Sequence, residues 1–257
     1  MNEKFVDYDR DANGVAWIML NRPEKKNAMN RLFLDQLQEA YKIYESDDQA
    51  RCAVIMGTGE TFSTGGDISM FPSINAEVGL DFTYENGQKH YRYLDTLNKP
   101  VIAAVHGYCL AGGFELALQC TFILASESAI FGMEEARLGL IPGYGGTVRL
   151  LTAAPSRIGL ELLLTARRIG AQEARGYGLV NEIAPDRESL KTLAGERAAL
   201  IASMSPHSVA ALLHVNRTIN GALSDAFDVE ALRTALLFGH ADTQNRIQSI
   251  LDRLQKK

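Results

Sequence analysis

The short stretches 5–8 and Val15–Leu20, the second apolar throughout, flank the turn Asp11-Ala12-Asn13-Gly14 and predict two paired strands. Asn21-Arg22-Pro23-Glu24 breaks that pattern, after which Phe33, Leu37, Tyr41 and Tyr44 fall at helical spacing. Residues 52–56 form a compact apolar strand that Gly57-Thr58-Gly59 ends. Residues 72–88 carry no clear period and read as a mobile connection, leading into a helix over about 88–97. Pro100 then opens a strand over Val101–Val105, and residues 112–118 read as a loop running into a helix. Short strands follow at 121–125, 129–132 and 180–183.

After Pro185 the strand signals stop and the tail reads as helical. Leu212, Val215 and Ile219 share one face, and Leu232, Leu236 and Phe238 approximately another. The pattern therefore predicts an α/β core over residues 1–198 and a helical region over 199–257. The apolar stretch 101–125 has the length of a membrane span, but Gly107, Gly112 and Gly113 interrupt it and Glu115 sits inside it, so it reads as core.

Composition narrows the classes. With 257 residues, 46% hydrophobic and 22% charged, the chain can bury a substantial core. A net charge of −5 gives no global field toward nucleic acid or an anionic membrane, so an anionic ligand has to be held by local dipoles and a few cations. The odd cysteines Cys52, Cys109 and Cys120 lie in apolar settings without metal-ligand spacing and read as reduced core residues of a cytoplasmic protein. The five histidines are scattered, and no metal site is expected.

Two glycine turns carry the chemistry. Ser63-Thr64-Gly65-Gly66-Asp67-Ile68 places free backbone N–H groups beside a residue able to cap a helix, and it reads equally as a plain capped turn. Ala111-Gly112-Gly113-Phe114-Glu115 lets the backbone approach either a ligand or a neighbouring strand closely. An oxyanion hole needs two such turns converging on one oxygen. Glu115 lies in an almost wholly apolar run, where a carboxylate is paired, protonated or functional. Glu135 follows twenty positions later, before Ala136-Arg137-Leu138-Gly139, and two converging carboxylates make an acid/base pair. Gly143-Tyr144-Gly145-Gly146-Thr147 lacks the lysine and spacing of a P-loop, and the chain has no nucleophile-elbow motif.

Leu20-Asn21-Arg22-Pro23-Glu24-Lys25-Lys26-Asn27-Ala28, the turn at Gly65-Gly66, Lys99-Pro100-Val101 leading to His106-Gly107, Gly112-Gly113-Phe114-Glu115, the stretch from Phe131 to Gly146, and Gln172-Glu173-Ala174 leading to Leu179-Val180-Asn181 occur in one order. In these blocks the chain resembles the enoyl-CoA hydratase/isomerase (crotonase) family over nearly its full length. The resemblance implies a crotonase-like spiral of ββα repeats with a C-terminal helical trimerisation region, assembled as a homotrimer or a dimer of trimers. It implies an acyl-CoA thioester substrate and no separate cofactor, coenzyme A being part of the substrate. By position it implies that the N–H groups of Gly66 and Gly112 form the oxyanion hole and that Glu115 and Glu135 are the two carboxylates of the hydratase branch. Counting from Phe131-Gly132 and from Leu138-Gly139 selects Glu135 rather than Glu134. Lys26, Asn27 and Ala28, with Gly65, Gly66, Asp67, Ile68 and Ser69 and with Gly112, are the implied contacts to the coenzyme A thioester. A double-bond isomerase and a carnitinyl-type dehydratase are the alternatives. Some relatives bind RNA through a basic helix, but the helices around Arg31, Lys42 and Arg92 are mixed in charge.

Overall fold

In the computed structural model, which describes residues 3–73, 75–220 and 224–255, β1 (Val6–Arg10) runs antiparallel to β2 (Val15–Leu20), Val6 facing Leu20 and Arg10 facing Ala16. The sheet continues in parallel through β3 (Cys52–Gly57), β4 (Val101–Val105), β6 (Phe122–Ser126) and β9 (Glu182–Ala184). A smaller sheet joins β5 (Tyr108–Leu110), β7 (Ile130–Gly132) and β8 (Ile169–Gly170). Two successive turns of the chain each give one strand to each sheet before a helix: β4 and β5 precede α4 (Gly112–Gln119), and β6 and β7 precede α5 (Gly146–Ala153). That is the ββα repeat the resemblance implies.

Period-two alternation divides the large sheet between two cores. Ala16, Ile18, Leu20, Ile55, Ala103, Val105 and Ile123 meet α1 (Arg31–Ser46), α3 (Lys89–Thr96) and α4. Val15, Val54, Met56, Ile102, Ala104 and Leu124 face α8 (Arg187–Ala202), which presents Leu190, Ala194 and Ala198 at four-residue spacing. A parallel sheet covered on both faces makes unbroken apolar strands. The membrane-length run 101–125 is thus β4, β5, α4 and most of β6, and among the described residues no single helix is long and apolar enough to cross a membrane. All three cysteines are buried and free.

Three expectations need correction. Residues 72–88 are not an unstructured connection: α2 (Ala76–Thr83) and a π-helical turn (Tyr84–Gln88) run into α3. Their glycines weaken helix propensity locally but permit close packing. A Cβ on Gly79 would stand 2.8 Å from the Ala235 carbonyl oxygen of α10 (Ser224–Phe238), and one on Gly87 would overlap the Tyr144 ring. Residue 198 lies inside α8, which packs against the sheet, so that helix runs across the boundary drawn there. Phe238 does not share an exposed face with Leu232 and Leu236. It is buried among Phe71 and Phe82, with ring centroids 5.7 and 5.8 Å away, while the two leucines face outward. The Ile219 side chain lies outside the described residues. The remaining helices are α6 (Ser156–Thr165), α7 (Ala171–Gly176), α9 (Pro206–Asn220) and α11 (Ala241–Gln255).

Candidate active site

The two glycine turns meet. Met29 N–H donates to the Gly65 carbonyl at 2.8 Å and Asp67 N–H to the Met29 carbonyl at 2.9 Å. Backbone N–H groups alternate in direction along an extended segment, so the Gly66 N–H points away from Met29. On that far side runs the chain leading to Gly112, tied by Leu110 N–H to the Ser63 carbonyl at 3.0 Å. A methyl on Gly112 would stand 3.5 Å from the Gly66 nitrogen, and one on Gly65 would stand 2.8 Å from the Gly112 nitrogen. Gly65 itself has φ +90°, a conformation glycine adopts freely. Gly112 opens α4, where the first N–H has no intrahelical acceptor.

Backbone strain accompanies this junction. Ala111 has φ 48° and ψ −126°, held by its N–H to the Gly132 carbonyl at 2.8 Å and by Phe114 and Glu115 N–H groups on its own carbonyl. Such a conformation costs about 1–3 kcal/mol and persists where its surroundings fix it. From below, the buried Tyr91 hydroxyl donates to the Gly112 carbonyl at 2.7 Å.

Glu115 lies in the first turn of α4 and is 3% exposed. Its Oε1 accepts the N–H groups of Tyr144 and Gly146, both at 2.8 Å. Burial raises its pKa well above the ordinary carboxylate value, and the charges of Glu135 and then Glu230 push it further, against the two N–H groups. Glu135 opens a 3₁₀ turn (Glu135–Leu138), and its buried Oε2 has no hydrogen-bond partner among the described residues. Burial lifts its pKa to about 8, with smaller contributions from Glu134 and Glu230. Glu134 is turned elsewhere, its two oxygens meeting Arg168 Nε and Nη2 at 2.9 and 3.0 Å. Buried acceptors without partners are rare and mark strain or chemistry.

A stability prediction follows from Glu135. Its folded pKa is raised, so its contribution to stability is full below the unfolded value and is lost as pH rises through about 8. Glu135→Gln is expected to raise the melting temperature at about pH 9 by about 2–8 °C, for on the order of 1–2 kcal/mol, and to change it little at about pH 5. Calorimetry at both pH values checks this. Equal shifts would mean that burial of the charge is not their cause.

The loops implied to hold coenzyme A also come together. Thr64 N–H donates to the Lys26 carbonyl at 3.1 Å, and Arg22 Nη1 bridges the Ala28 carbonyl and Asp67 Oδ2, each at 2.9 Å. Lys26 is exposed and its Nζ lies 5.9 Å from the centroid of the Tyr108 ring. The Asp67 carboxylate accepts from Ser69 N–H and Oγ, capping the 3₁₀ turn (Ile68–Ser73) as the sequence suggests. The Asn27 side chain is wholly buried, its amide donating to the carbonyls of Thr58, Thr61 and Phe62 while its Oδ1 accepts from Arg22 N–H. The Asn27 side chain therefore shapes the loop.

Two features exceed the sequence reading. Gly143-Tyr144-Gly145-Gly146-Thr147, dismissed as a phosphate loop, cradles carboxylates instead. Glu230, buried on α10, was not anticipated, although it stands beside Phe227, Ala231, Thr234 and Phe238 on an otherwise uncharged buried face. A carboxylate on an apolar helix stripe was the available signal. A cavity of about 560 Å³, lined by Asp95, Arg149 and Arg217 among others, does not include Glu115 or Glu135 in its lining.

Residues 10–257 match the family model described as enoyl-CoA hydratase/isomerase. A probable enoyl-CoA hydratase of Rhizobium meliloti is 37% identical over 230 residues, covering 89% of this chain and 88% of that protein. A carnitinyl-CoA dehydratase of Escherichia coli is 38% identical over 205 residues, covering 79% and 77%. Among solved structures, an enoyl-CoA hydratase from Bacillus anthracis superposes with a TM-score of 0.79 at 31% identity, covering 99% of this chain and 97% of that one.

Proposed function

The chain belongs to the enoyl-CoA hydratase/isomerase family, and from that premise we propose that it adds water reversibly across the C2–C3 double bond of a 2-enoyl-CoA thioester. The observation that carries this reading is a pair of interacting carboxylates with raised pKa values, Glu115 buried on the helix that Gly112 opens and Glu135 half-buried, together with the close approach of the Gly66 and Gly112 turns. The thioester carbonyl accepts from the Gly66 and Gly112 N–H groups, which stabilise the enolate oxygen as water attacks C3. Glu115 acts from its ionised form, which the Tyr144 and Gly146 N–H groups favour against burial; it orients that water and takes its proton. Glu135 delivers the proton to C2, and its raised pKa leaves it protonated near neutrality. Glu115 then releases its proton to solvent and Glu135 regains one, which restores the starting pair, and the two exchange roles in the reverse reaction. Lys26, Ala28 and residues 65–69 contact the coenzyme A portion, which enters and leaves as part of the substrate.

A panel of 2-enoyl- and 3-enoyl-CoA thioesters, followed by absorbance and mass, tests the reading. Hydration removes the conjugated double bond and adds one water. A mass-neutral shift of the double bond would make the protein an isomerase, and activity confined to a carnitinyl thioester would make it the dehydratase variant.

The helical tail supports an assembly of several copies. Leu212 and Val215 are 72% and 57% exposed on α9, and Leu232 and Leu236 are each 47% exposed on α10. Apolar side chains left this exposed along two helices favour cover by a partner, here further copies of the chain as a trimer or a dimer of trimers. Light scattering is expected to give three or six times the chain mass, and a monomer at micromolar concentration contradicts the assignment.

A further inference from the structure

The turn that holds Glu115 is gripped from its other side. Along residues 144–148 the N–H groups are shared in alternation between two carboxylates. Those of Tyr144 and Gly146 go to Glu115, while Gly145 N–H donates to Glu230 Oε2 at 2.6 Å and Val148 N–H to Glu230 Oε1 at 3.1 Å. Glycine is required at the shared points. A Cβ on Gly146 would fall 2.5 Å from Glu115 Cγ, and Gly145 has φ +102° with Phe227 and Arg149 against it. Glu230 arrives from α10, far along the chain, and is 3% exposed. Its backbone carbonyl accepts the Thr234 hydroxyl at 2.9 Å, and Gln88 Nε2 donates to the Phe227 carbonyl at 2.9 Å, one helical turn before it.

We propose that Glu230 is a positioning residue for the hydration chemistry: by clamping the turn at residues 144–148 it aims the Glu115 carboxylate, and its negative charge adds to the field in which Glu115 and Glu135 exchange protons. The inference rests on the hydratase reading of Glu115 and Glu135. The reason for an acid at this position is geometric. A carboxylate is acceptor-only and offers both oxygens to the N–H groups of Gly145, Thr147 and Val148, whereas an amide would turn an NH₂ against at least one of them. The N-terminal end of α5 adds a favourable dipole.

Polar and titratable groups reach Glu230 from several elements: Glu115 from α4, Glu135 from the 3₁₀ turn, Thr147 from α5 and Gln88 from the π-helical turn. Arg149 is held by Asp95 at 2.6 Å and Arg92 lies 3.7 Å from Asp228, each guanidinium over the Phe227 ring rather than against the carboxylate. Among the described residues no cation forms an ion pair with Glu230. Burial raises its pKa to about 7 despite the N–H groups, so it is charged over the upper part of the neutral range. Its charge then disfavours ionisation of Glu115 and Glu135.

Three variants separate clamping from charge: Glu230→Gln, Glu230→Asp and Glu230→Ala. Each is assayed for kcat, KM and the pH profile of kcat/KM with a four-carbon 2-enoyl-CoA, alongside its melting temperature. Glu230→Gln is expected to lower kcat about 10- to 10²-fold with KM nearly unchanged, since Glu230 touches no substrate. Without the negative neighbour the paired carboxylates ionise more readily, so the acid limb moves to lower pH by about half a unit or more. Glu230→Asp keeps the charge and loses reach, so its kcat falls while its acid limb stays. Glu230→Ala loses both and shows the larger fall with the same shift. A folded Glu230→Gln protein with unchanged kcat and limb overturns the proposal, as does activity that falls only in step with the unfolded fraction. The unchanged protein is the separate control: if it shifts the double bond without adding water, the hydratase reading fails, while the displaced limb in that reaction still tests Glu230.

Discussion

Glu115→Gln and Glu135→Gln are each expected to lower hydration turnover about 10²–10⁴-fold, the usual worth of a positioned acid or base. Glutamine preserves the shape of both side chains. At position 115 its amide oxygen can still accept from Tyr144 and Gly146 N–H, the two bonds that set the orientation. It cannot carry a proton between water and carbon, so the loss falls on chemistry rather than on binding. Because both carboxylates serve one transition state, the double variant should lose far less than the product of the two single losses. Glu134→Gln is the control. Glu134 meets Arg168 near the surface, an interaction worth about 0–1 kcal/mol, so turnover should stay close to that of the unchanged protein. A dead Glu134→Gln variant would mean that the acid assigned at 135 is really its neighbour.

Gly112→Pro is expected to lower turnover roughly 10²–10³-fold by removing one of the two N–H donors for the thioester oxygen. Position 112 is the first of α4, where a helix tolerates proline because that N–H has no helical acceptor. The strain falls on Ala111, whose φ of 48° and ψ of −126° are not those a residue before proline prefers. Circular dichroism and melting temperature therefore accompany the assay. A folded Gly112→Pro variant with near-normal turnover removes Gly112 from the oxyanion hole. Gly66→Ala is the companion: it keeps the N–H, and its Cβ meets only Phe71 ring atoms, at 3.4 and 3.7 Å, so it should retain most activity.

The parts of this molecule legible in its sequence are those written in local pattern. The unbroken apolar runs of β2 and β4 are consequences of a sheet covered on both faces, and each can be read within a few residues. The glycine turns at 65–66 and 112–113 were also readable, because close approach and free N–H groups demand glycine whatever lies opposite. What escaped was set by distant partners. α2 carries Gly79, which lowers its helical signal, and its reason is the backbone of Ala235 on α10. Asn27 stood in a loop implied to touch ligand, yet its amide is consumed by three carbonyls beyond position 57. Glu230 gave only the weak sign of a charge on an apolar stripe, since the turn it grips lies more than eighty residues earlier.

The most direct test of the two-carboxylate account is the reaction of a 2-enoyl-CoA in D₂O with the unchanged protein and with Glu115→Gln, followed by mass spectrometry and absorbance. The account predicts that the unchanged protein adds one solvent water, placing a hydroxyl at C3 and one deuterium at C2, and that Glu115→Gln loses this product by about 10²-fold or more. Normal hydration by a folded Glu115→Gln protein, or a product of unchanged composition apart from deuterium from the unchanged one, would contradict it.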